Sequence, residues 1–93
     1  MKNIKILAIR KKLDLIDVSI LNLIKKRLIL VNKVLNEKTL KNQIIDKKRI
    51  NVILKRIKLK SQQKKIDPII TKSIWKAMIN AFIAFEFRNF KKK

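Results

Sequence analysis

Between Ile6 and Val34 the apolar residues step by three and four positions: Ile6, Ile9, Leu13, Ile16, Ile20, Leu23, Leu30 and Val34, with one gap at Arg27. That spacing marks the seam of one long helix, expected over residues 4–40 and about 50 Å long at ~1.5 Å per residue. So long a helix cannot bury its stripe against itself; it needs other helices or a second chain. The sequence has no glycine and a single proline, Pro68. Turns that require positive φ are therefore expected to be unavailable, which argues against β-hairpins and for an all-α fold.

The rest of the chain reads as two further helices. A polar stretch from Thr39 to Gln43 breaks the pattern, which resumes at about residues 45–64 with Ile50, Ile53, Leu54 and Ile57 on one face. Asp67 can cap a third helix and Pro68 suits its first turn. That helix is expected over 68–87, carrying Ile70, Ile74, Trp75, Met78, Ile79, Phe82 and Ile83, with residues 88–93 as a frayed basic tail. Neither a linker nor a repeat interrupts residues 1–93, so one three-helix domain is expected. In 93 residues the core is modest, and association with a second copy is a natural way to bury more apolar surface.

The formal net charge of +20 suggests a polyanion partner at first sight. Yet Lys, Ile and Asn make up about half the chain, and their codons are rich in A and T. A base-biased genome yields this composition without selection for nucleic acid, and the basic residues spread over all three helices rather than one face. Nucleic-acid binding and a structural coiled-coil role stand as the alternative readings. With no Cys and no His, thiolate or imidazole metal sites and Ser-His or Cys-His nucleophiles are excluded. No apolar run approaches the ~20 residues of a membrane span, and the start lacks a secretory pattern, so a cytoplasmic protein is expected.

Several polar residues fall where apolar ones belong. Arg27 interrupts the seam, and Lys38, 11 residues on, falls on almost the same face at about 100° per residue. Two cations on an apolar stripe are costly unless anions meet them. They either snorkel at a loose helix end, pair with Asp46 and Glu86, or face an anionic ligand. Arg10, 17 residues before Arg27, is turned about 100° from it and addresses something else within one chain. Asp46 lies in the first turn of the second helix beside Arg49, the usual place of a cap. Glu86, the one acid of the third helix, is either exposed at its end or buried.

The order of these residues resembles that of the all-helical, AroQ-class chorismate mutases. The block IRKKLDLIDVSILNLIKKR, Ile9 to Arg27, keeps register with the loose family pattern LRxxLDxIDxxILxLLxxR. Lys38 follows at the family spacing, then DKKR at Asp46 to Arg49 in place of DxxRE, then Glu86 as the closing Gln or Glu. The likeness runs from about Leu7 to Phe87. Only five arginines occur, and Arg10, Arg27 and Arg49 stand on motif positions. Keeping Arg there in so Lys-rich a chain implies a need for its bidentate fork.

The resemblance implies an intertwined homodimer that converts chorismate to prephenate, with no metal and no cofactor. Arg10 would be donated to the partner's site, while Arg27, Asp46 and Arg49 would bind substrate beside Lys38 and Glu86, the catalytic donors. Glu86 donates only when protonated, so that role requires burial to disfavour its charged form. Two departures from the family pattern bear on binding. Ile50 stands where an acid is expected to hold the substrate's ring hydroxyl, and Phe82 where a small hydrophilic residue is usual. The length leaves no room for a regulatory segment, so a monofunctional chain is expected.

Overall fold

The structure, a computed structural model, describes residues 3–92. It is all-α: α1 spans Ile4–Glu37, α2 Lys47–Gln63 and α3 Pro68–Asn89, with a 3-10 turn at Lys41–Gln43 and no strand among the described residues. The expected three-helix architecture is what forms. No helix among the described residues is long and apolar enough to cross a membrane. The chain divides into two compact units, Met1–Val31 and Asn32–Lys93.

The first unit is the bulk of α1. Asn3 caps it, its Oδ1 accepting the Ile6 N–H at 3.2 Å. Every described residue from Asn3 to Lys26 is exposed. The large apolar side chains from Ile4 to Ile24 are each between 38% and 79% accessible, so the seam read from the sequence lies uncovered on the single chain. Helical register holds through both arginines, and their 17-residue separation sets Arg10 and Arg27 about 100° apart around the axis.

The second unit packs α3 back along α2 through the connection at residues 64–67. Ile79 is buried in α3, and Ser61 and Thr71 form a buried polar contact near the turn, Oγ to Oγ1 at 2.7 Å. Each hydroxyl also has a backbone acceptor, the Ile57 carbonyl 2.6 Å from Ser61 Oγ and the Pro68 carbonyl 3.4 Å from Thr71 Oγ1. The Asp67 and Pro68 expectation holds: Asp67 Oδ1 accepts the Ile69 N–H at 2.9 Å and Pro68 opens α3. At the other end α3 continues to Asn89, two residues past its expected end. Asn89 Nδ2 donates to the Phe85 carbonyl at 2.9 Å, satisfying one of the last acceptors.

Two sequence expectations about turns are corrected. First, α1 stops at Glu37 rather than near residue 40. Continuing it would bond the amides of Thr39 and Leu40 to carbonyls four residues back, but both donate instead to Gln43 Oε1, at 2.8 and 2.9 Å. Second, positive φ is available without glycine: Lys65 adopts φ 58°. It closes α2 in a Schellman arrangement, with Lys65 N–H on the Gln62 carbonyl at 3.2 Å and Ile66 N–H on the Ser61 carbonyl at 2.9 Å. A residue with a Cβ loses roughly 1–2 kcal/mol in that conformation. Lys65→Gly is therefore expected to raise the unfolding free energy by about 0.5–1 kcal/mol, after the greater freedom of Gly in the unfolded chain is subtracted. Chemical denaturation at fixed protein concentration reads this as a higher midpoint with unchanged slope; a lower midpoint would count against the strain argument.

Candidate functional site

The second unit carries a polar pair inside its apolar packing. Lys38 Nζ donates to Glu86 Oε1 at 3.0 Å, across 48 residues of sequence. The side chains are 17% and 8% accessible, and Glu86 is the one charged residue among the described buried ones. Such a pair adds little to stability, because desolvation offsets much of the attraction, yet removing either partner would strand a buried charge.

Each partner is placed by a different local cause. Lys38 is the first residue beyond α1, its N–H bonded to the Leu35 carbonyl at 3.0 Å. Leu35 and Ile44, 4% and 3% accessible, pin the chain on either side of it. Glu86 is set by α3 one turn after Phe82, which is half-buried. Among the partnerships the sequence left open, Lys38 with Glu86 is the one formed, with Glu86 accepting.

Asp46, expected among the substrate-binding residues, serves as a cap, its Oδ1 accepting the Arg49 N–H at 3.0 Å where α2 starts. It thereby fixes the register of Arg49, which is exposed, and of Ile50, which is half-buried. A depression of about 510 Å³ opens beside Lys38, lined by Gln43, Ile45, Asp46, Lys47 and Lys48. Of these Gln43, Ile45, Lys47 and Lys48 were not singled out from the sequence. Gln43 had a readable signal, an acceptor side chain within a connection free of Gly and Pro. Another depression, about 430 Å³ and floored by Leu54, Ile57, Pro68 and Ile69, lies against α2 and α3 and contains none of the expected site residues. Arg10 and Arg27 belong to the first unit, Arg10 exposed and Arg27 half-buried.

The described residues contain no group of His, Cys, Asp and Glu able to hold a metal ion. What the chain presents is an all-helical scaffold with a part-buried Lys38–Glu86 ion pair. The family model for chorismate mutase type II matches residues 9–87, and the chain belongs to that family of isomerase-type enzymes. No curated protein matches it, and no solved structure does.

Proposed function

We propose that the chain catalyses the rearrangement of chorismate to prephenate, in aromatic amino acid biosynthesis, as a homodimer with two shared sites. The observation that carries this reading is the part-buried Lys38–Glu86 contact in a chain of the chorismate mutase type II family. The reaction is intramolecular: the ether C–O bond breaks while a C–C bond forms, with no net transfer of protons or electrons. Catalysis then consists of holding the flexible dianion in a reactive geometry and stabilising charge as it develops.

Arg27 and Arg49 of one chain and Arg10 of the second are the proposed carboxylate ligands, each able to grip two oxygens at once. Lys38 has three N–H donors, and Glu86 takes one of them. The others are available to meet the ether oxygen, where negative charge grows in the transition state, while Glu86 holds the ammonium in place for that contact. Ile50 leaves the substrate's ring hydroxyl without an acid, and Phe82 adds bulk one turn before Glu86; both favour a weakly held substrate.

Dimerisation is supported by the bare seam of α1. An uncovered stripe running from Ile6 to Val34 is far larger than a stable monomer exposes, and a second copy offers the matching stripe. The 100° offset of Arg10 from Arg27 suits one helix serving two sites. The test is to incubate chorismate with purified protein and no added metal or cofactor. Prephenate should accumulate; recovery of unchanged chorismate would overturn the proposal.

A further inference from the structure

We infer that Gln43 is a positioning residue for Lys38, acting through the backbone of the turn that joins them. This rests on the reading of Lys38 as donor to the breaking ether bond. One side-chain oxygen, Gln43 Oε1, accepts both the Thr39 N–H at 2.8 Å and the Leu40 N–H at 2.9 Å. The Gln43 N–H in turn donates to the Leu40 carbonyl at 3.1 Å, so residues 39–43 close on themselves directly after Lys38.

No Gly or Pro lies between Lys38 and Asp46, so no residue there sets the turn by its own backbone restriction or freedom. The buried Leu35 and Ile44 anchor the two ends, and between them the Gln43 oxygen is the side-chain tie, beside the backbone bonds from Gln43 N–H to Leu40 and from Ile44 N–H to Lys41. Lys38 is the first residue outside α1 and has the most to gain in freedom if that tie is cut. Its ammonium must still meet Glu86 at 3.0 Å from the end of a four-carbon stem. Thr39, Leu40 and Gln43 are all exposed, so water can replace the lost bonds energetically. Their loss therefore acts on geometry more than on stability. Both bonds use only an acceptor oxygen, which a carboxylate provides equally.

The experiment is steady-state chorismate turnover by Gln43→Ala and Gln43→Glu, in wild-type and Lys38→Ala backgrounds, with the denaturation midpoint as a folding control. Gln43→Ala is expected to lower kcat about 10- to 30-fold with KM changed less than about threefold, short of the roughly 100-fold that a 1 Å displacement costs. Gln43→Glu should hold kcat within about threefold of wild type, since the acceptor is kept. In the Lys38→Ala background Gln43→Ala should cost nothing further, because its effect passes through the ammonium. Should Gln43→Ala unfold, Gln43→Met, of similar length and without the oxygen, takes its place. The inference is overturned by an unaltered kcat in the acceptor-free variant, by a Gln43→Glu chain equally slow, or by an undiminished loss in the Lys38→Ala background. Wild-type protein that leaves chorismate untouched removes the functional reading itself, an outcome distinct from those three.

Discussion

Arg27→Ala is expected to reduce kcat/KM by on the order of 10²–10³, because removing one partner of a desolvated, hydrogen-bonded charge pair costs about 3–4 kcal/mol. Arg27 is half-buried and stands in the seam between Leu23 and Leu30, both of which are exposed on the single chain. On the proposed reading its guanidinium binds a substrate carboxylate through two parallel bonds. Helicity should be retained, since Ala is the strongest helix former and removes no backbone bond. Arg27→Lys should recover only part of the rate, because an ammonium cannot make the two parallel bonds of a guanidinium. Circular dichroism and turnover on the same preparations separate the two effects. A rate within about tenfold of wild type would remove Arg27 from the site, given the size of effect a buried pair commands.

Mixing two inactive chains should restore activity. In a heterodimer of Arg10→Ala and Arg27→Ala chains, one site draws Arg27 from the first chain and Arg10 from the second, and both are intact. The other site lacks both. Random exchange of equal amounts makes half the dimers mixed, and half the sites in those are whole, so recovery of about one quarter of wild-type turnover follows from the two-fold symmetry. Each parent alone should give almost none. Sites built within single chains would leave the mixture as inactive as its components.

What the sequence made legible was local. The apolar stripe of α1, the Asp67 cap with Pro68 behind it, and Asp46 at the start of α2 depend on residues a few positions apart, and the structure has all of them. The end of α1 departs from the periodicity because a side chain five residues beyond Lys38, that of Gln43, captures the amides that would have extended the helix. The left-handed Lys65 escapes a reading that equates absence of glycine with absence of positive φ; the pairing of bonds that closes α2 tolerates the strain. Lys38 and Glu86 are 48 residues apart, so spacing could only leave their contact as one of several partnerships, and the fold selects it. What covers the seam of α1 is not written in the stripe itself, since any matching apolar face satisfies it.

The most direct test follows the absorbance of chorismate after purified protein is added, over a range of protein and substrate concentrations and without metal or cofactor. A decline whose initial rate rises in proportion to protein and saturates with chorismate is the expected result. A rate equal to that of chorismate standing alone in buffer, however much protein is present, would contradict the account.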